Sequence, residues 1–129
     1  MFVEIGSTEK QWKDENAGKV VAKVIINVLS KKIKKYKTAI AFGSNHYCAG
    51  FSKILFNSDI AIGNICPKYQ IDNLNENTLI QAYEKNYPKA EFALIDWKGL
   101  NTKQRDKIIN LLEKNNIPWK KTKDIKTSA

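Results

Sequence analysis

The only histidine of the chain, His46, stands in the stretch AIAFGSNHYCAG, where an apolar run closed by Gly43 gives way to Ser44, Asn45, His46, Tyr47 and Cys48. An imidazole changes charge near neutral pH, so in such a loop it can serve as a general base, a metal ligand or a donor to phosphate. A lone loop histidine is more often a plain surface residue. Here it follows a glycine-terminated apolar run, has hydrogen-bonding neighbours on both sides and competes with no other histidine. Asp96 and Lys98 flank Trp97 after a second apolar run. A lysine so placed grips a phosphate or a carboxylate, unless it is one more solvent-facing lysine. Trp97 either stacks on a base or packs in the core. Glu4 sits inside the apolar run MFVEI, where an unpaired charge is costly. An opposite charge, a metal or an outward-facing edge position resolves that cost. His46, Cys48 and Cys66 are three soft donors for zinc, although H-x-C with a distant cysteine is not an established spacing and two isolated thiols explain the cysteines equally well.

These residues must be positioned by the elements around them. Met1–Ile5, Thr38–Phe42, Asp59–Ile62 and Glu91–Ile95 read as strands, the first three closed by Gly6, Gly43 and Gly63. Ile117–Thr122 reads as a last strand, placed at an edge by Pro118. Between them, helical spacing of apolar residues marks Asp14–Lys35, Asn75–Asn86 capped by Asn75, and Thr102–Asn115 with Asn101 and Gln104 as a capping pair; Phe51–Asn57 supplies one or two further turns. The first helix is rich in β-branched residues and needs a sheet to lie on. Strands alternating with helices predict an α/β sandwich with a mostly parallel sheet and helices on both faces. It forms a single domain over residues 1–129 with a frayed tail at 124–129. Ligands of open α/β sheets bind beyond the carboxyl ends of the strands. If the strands run parallel, that edge gathers Glu9, Ser44, Asn45, His46, Tyr47, Cys48, Asn64, Cys66, Asp96 and Lys98. The plainer reading of Gly-Ser and Gly-Asn is ordinary turn chemistry.

The 129 residues suffice for one core, and a formal net charge of +9 turns the surface toward polyanions. Lysine greatly outnumbers arginine, so a lysine-, isoleucine- and asparagine-rich composition accounts for part of that charge. No stretch approaches a membrane span of about 20 apolar residues, and MFVEIGSTEK lacks the plan of a signal peptide. A soluble cytoplasmic protein with two free thiols is expected. There is no CxxC, HExxH, P-loop or GxGxxG.

In combination and in this order, FVEIGSTEKQWKDENAG, GSNHY, IGNICPKYQIDNLNE and DWKGLNTKQRDKI resemble the C-terminal half of the archaeal-type D-aminoacyl-tRNA deacylases, which also occur in plants. The likeness runs from Phe2 to about Thr122. It implies a three-layer α/β/α sandwich with a mostly parallel, mixed sheet, similar to peptidyl-tRNA hydrolases and phosphorylases. It also implies a zinc-dependent hydrolase of the ester joining a D-amino acid to the 3′ end of tRNA, with tRNA as the polyanionic partner. By position, Gly43, His46 and Tyr47 match the family's GGGHY, with Ser44 and Asn45 in place of two glycines. Asp96, Trp97, Lys98 and Gly99 match DWKG, and Glu4, Gly6, Ser7, Thr8 and Glu9 match EIGSTE. Tyr69 matches the tyrosine of the third loop. Asn64 replaces the family's histidine after the third glycine.

The roles implied are catalytic for His46, Lys98, Asp96 and Tyr47, and substrate-binding for Gly43, Ser44, Asn45, Asn64, Tyr69 and Gly99. His46 and Glu4 become metal ligands, with Cys48 and Cys66 as the alternative set. The family is about twice this length, and its N-terminal half carries further histidines, including an HHG segment. The expectations are therefore an enzyme half that acts with a separate chain supplying the rest, a non-catalytic tRNA- or RNA-binding module, or a truncated inactive relic. A nucleotide- or small-molecule-binding α/β protein unrelated to RNA stands beside them.

Overall fold

The computed structural model describes residues 4–32 and 35–126. The chain divides into two compact units, one up to Lys34 and one from Lys35 onward.

In the smaller unit the GSTE segment forms a helix start. Thr8 caps the short helix α1 (Glu9–Trp12), its hydroxyl and backbone exchanging bonds with Gln11. Asp14 caps α2 (Glu15–Ser30) by accepting from the N–H groups of Asn16 and Ala17. α2 begins where the sequence places it and ends at Ser30, short of Lys35. Of the strand expected at Met1–Ile5, Met1–Val3 lie outside the described residues, and Glu4 and Ile5 are not in a strand.

The larger unit is built on a sheet of four strands, β1 (Lys37–Phe42), β2 (Ile60–Cys66), β3 (Phe92–Ile95) and β4 (Trp119–Lys121), in the order β2-β1-β3-β4. Every pairing is parallel. The antiparallel member of a mixed sheet is not among the described strands. α3 (Ala49–Asn57), α4 (Glu76–Glu84) and α5 (Thr102–Lys114) connect them, with a 3₁₀ helix at Lys68–Asn73 and another at Thr122–Asp124.

Successive side chains of a strand leave on opposite faces, and both faces are covered. On one, Ile40, Phe42, Ala93 and Ile95 pack against Ile71, Leu79, Ile108 and Leu112 from the first 3₁₀ helix, α4 and α5. On the other, Ala39, Ala41, Phe92 and Leu94 pack against Phe51 and Ile54 of α3, with Ile125 against them. Each large apolar side chain buried this way contributes about 1.5–3 kcal/mol. The result is a three-layer α/β arrangement. α4 and α5 both open with asparagine capping boxes, Asn75 with Thr78 and Asn101 with Gln104.

β2 does not end at Gly63. Ala39 pairs with Ile62 and Ile40 with Asn64, so Gly63 is the extra residue of a bulge and the strand continues to Cys66. A Cβ at Gly63 would run into the Asn86 carboxamide.

Candidate active site

Because the strands are parallel, the segments leaving β1, β2 and β3 meet at one edge of the sheet. Backbone bonds lace them together: Gly43 N–H donates to the Cys66 carbonyl (2.9 Å), Lys68 N–H to Ser44 (3.0 Å) and Asp96 N–H to Phe42 (2.9 Å). The chain turns away from β1 through two left-handed residues, Gly43 (φ 108°) and Ser44 (φ 65°). At Gly43 a Cβ would stand 3.0 Å from the Asp96 Cβ and 3.2 Å from the Leu100 Cγ, so a side chain there would press on the neighbouring loop.

Two clefts open at this edge. The larger, about 660 Å³, is lined by Ser44, Asn45, His46, Ala49, Gly50, Lys68, Tyr69, Asp96, Gly99 and Gln104. The smaller, about 330 Å³, shares Ser44, Gly50 and Asp96 with it and adds Lys53, Trp97, Lys98 and Lys123 among its walls. His46 and Lys98 therefore stand at the same end of the sheet, in adjoining clefts joined by Asp96. The Asp96 carboxylate accepts from the Gly99 N–H (3.3 Å), which holds it at the divide.

His46 is exposed, and among the described residues its ring makes no hydrogen bond; the Tyr47 ring meets it edge-on at 5.4 Å. The loop is shaped by Asn45, whose side chain accepts from Tyr47 N–H (3.2 Å) and whose carbonyl accepts from Cys48 N–H (3.2 Å). Tyr47 itself is 83% exposed and lines neither cleft. Gln104 is buried and does double duty: it completes the α5 capping box and donates Nε2–H to the Lys68 carbonyl (3.2 Å), fixing the third loop. The sequence marks Gln104 only as a capping residue. Lys53, Lys68 and Lys123 carry no signal that separates them from the other lysines.

Three expected members within the larger unit fall elsewhere. Asn64 lies within β2, two residues short of its end, because the bulge at Gly63 carries the strand onward. Its Nδ2 donates to the Ala82 carbonyl and to the Asn86 carboxamide, both at 3.2 Å, so its side chain is engaged with α4 and not with the cleft. Cys48 packs against the α3 face of the sheet and Cys66 against the α4–α5 face. The two thiols pack in different clusters and form no three-donor group with His46 among the described residues. Burial pushes the Cys66 thiol above its ordinary value, partly offset by Lys107. Glu4 and Glu9 belong to the smaller unit; Glu4 is exposed, and Glu9 is paired with Lys13 at 2.6 Å.

Among the described residues no three of His, Cys, Asp and Glu come together as a group able to hold a metal ion. A zinc centre needs at least three protein donors. The described part of this chain offers the imidazole of His46 without two partners, so the residues present do not by themselves fit the zinc that the resemblance implies. Nor is any helix among the described residues long and apolar enough to cross a membrane.

Residues 1–120 match the family model described as D-aminoacyl-tRNA deacylase. The chain is 42% identical over 113 residues to the D-aminoacyl-tRNA deacylase of Methanosarcina barkeri, an alignment covering 88% of this chain and 35% of the relative. It is 35% identical over 125 residues to that of Methanocaldococcus jannaschii, covering 94% and 48%. Among solved structures it is similar to a crystal structure of a conserved protein of unknown function, with a TM-score of 0.75 and 26% identity over 93% of this chain and 42% of the other. The chain thus spans between about a third and a half of the length of the curated relatives it matches. The match runs through the loops GSNHY, CPKY and DWKG that wall the clefts, and on it the chain belongs to the D-aminoacyl-tRNA deacylase family.

Proposed function

We propose that the paired clefts bind the 3′ end of a D-aminoacyl-tRNA and hydrolyse its ester, as this chain's share of a larger catalytic unit. The observation that carries the reading is convergence: GSNHY, CPKY and DWKG are far apart in sequence, and they wall the same edge of the sheet around Asp96. In the proposed reaction His46 removes a proton from the attacking water and returns it to the departing ribose oxygen. The Lys98 ammonium faces the oxyanion that develops on the ester carbonyl or a phosphate of the terminal nucleotide. Asp96, held by Gly99, orients groups at the divide, and Tyr47 braces the imidazole. Gly43, Ser44, Asn45, Tyr69 and Gly99 form the surface for the nucleotide and the amino acid. Were zinc bound, His46 would be one donor in place of acting as the base, with the other donors from segments found in the relatives' remaining length; no step above passes through the metal. A polypeptide carrying those segments is the proposed partner, and a cytoplasmic location is part of the same proposal.

The test mixes the chain with D-tyrosyl-tRNA, with and without zinc and the complementary part of a longer relative. Release of D-tyrosine in at least one mixture, lost in His46→Ala while RNA binding persists, is the expected result. No release in any mixture removes the hydrolase reading. A second reading, an RNA-binding module without catalysis, is favoured by the exposure of His46 and the lack of a three-donor metal group among the described residues. It predicts RNA binding that His46→Ala leaves unchanged, with no release at all.

A further inference from the structure

Beside the smaller cleft lies a cluster that the proposed chemistry does not use. Trp97 and Trp119 stack with ring centroids 6.3 Å apart and planes 7° from parallel. Two cations lie over the Trp97 ring, the Lys121 ammonium at 3.9 Å from its centroid and the Arg105 guanidinium at 4.9 Å. Arg105 is the only arginine in the chain. Among the described residues neither cation is within ion-pair distance of a carboxylate. The Arg105 Nε is buried without an acceptor.

Two positive charges over one indole repel each other while each is attracted to the ring, and an anion between them would relieve the repulsion. The arrangement wants an anion. Trp97 already carries a stacked indole and two cations, which leaves it poorly placed to stack on a base. Its role is to hold the cations. The cluster is fixed by rigid elements, since Trp119 and Lys121 are alternate residues of β4, Arg105 is in α5, and Trp97 lies one residue from Asp96 at the divide between the clefts. A guanidinium is suited to forked contact with a phosphate, and an ammonium adds a point charge.

We infer that Arg105 and Lys121, held on Trp97, form a phosphate clamp for the single-stranded 3′ end of the RNA, so that the strand leaves the clefts across the β4 side of the sheet. This rests on the reading of the clefts as an aminoacyl-tRNA site and adds the path of the backbone. The probe is an unacylated RNA stem-loop ending in single-stranded CCA, with its affinity followed by fluorescence anisotropy across a salt series. Each phosphate contact on a single strand contributes about 0.7 to the slope of log K against log salt. The double variant Arg105→Gln/Lys121→Gln is expected to lower that slope by about 1.4 and to weaken binding about tenfold or more at low salt. Lys37→Gln/Lys85→Gln removes the same charge, with Lys37 at the amino end of β1, and is expected to change the slope by less than half as much. Equal losses in the two double variants, or none in the first, overturn the clamp. They leave the hydrolase reading intact if D-tyrosine release persists. Failure of the unaltered chain to bind the probe at all overturns the clamp together with the RNA reading of the clefts.

Discussion

Gly43 shows how one residue sets the geometry of the whole edge. Its φ of 108° is open to glycine and strained for other residues, and the space where a Cβ would go is bounded by Asp96 and Leu100. Gly43→Ala is therefore expected to cost about 1–3 kcal/mol of stability, read as a lower urea midpoint with an unchanged slope. The strain falls on the Asp96 side of the clefts, so any hydrolysis should decline by more than the stability loss explains. A midpoint equal to that of the unaltered chain would mean that the turn relaxes without disturbing the loop. The same residue illustrates what sequence can say at this scale. That a glycine closes an apolar run was visible in the sequence. That its missing Cβ makes room for the Asp96 loop depends on a contact with a residue more than fifty positions away.

At the scale of elements, α5 organises the site. Gln104 joins the helix start to the loop after β2, through its bonds with Asn101 and with the Lys68 carbonyl. Lys107 adds a bond to the Asp72 carbonyl (2.6 Å), and Lys114 pairs with Glu76 of α4 (2.7 Å), whose carboxyl is held below its ordinary value by that bond. Gln104→Ala removes one half of a capping box and a buried tether and is expected to cost about 1–3 kcal/mol. Because the tether ends on the loop carrying Tyr69, its loss should also raise the exchange rate of the amides around Lys68, measured by hydrogen exchange. Exchange unchanged there would assign Gln104 to helix capping alone. The Asn75 cap of α4, the Asn101–Gln104 capping pair of α5, the strands β1 and β3 and the edge position of β4 are legible in the sequence, because local chemistry and apolar runs decide them. The continuation of β2 past Gly63 is not. A glycine at a bulge and a glycine at a strand end look alike in sequence, and the Asn86 side chain that decides between them comes more than twenty residues later. Asn64, expected just past a strand end, lies within β2 for the same reason.

For the molecule as a whole, the site was legible to the extent that parallel strands share one carboxyl edge, which brings His46, Asp96 and Lys98 to the same end of the sheet. Which layer each cysteine joins is not legible in the sequence: Cys48 packs with the α3 cluster and Cys66 with the α4–α5 cluster. That separation bears on metal binding. A thiolate pair with His46 would have made a three-donor site within the larger unit. As the chain is folded, each thiol packs on its own layer, and the Cys48 thiol donates to the Asn45 carbonyl (3.3 Å). A metal site with a single firm donor binds weakly, because each missing donor leaves a position to water. The chain incubated with zinc and passed through a desalting column is therefore expected to retain well under one zinc per molecule, measured by elemental analysis, and His46→Ala should not change that value. Adding the complementary part of a longer relative should raise retention to a stoichiometric level, and His46→Ala should then reduce it. Stoichiometric, chelator-resistant zinc on the chain alone would place the missing donors within these 129 residues and would require the loops around His46 to rearrange on binding.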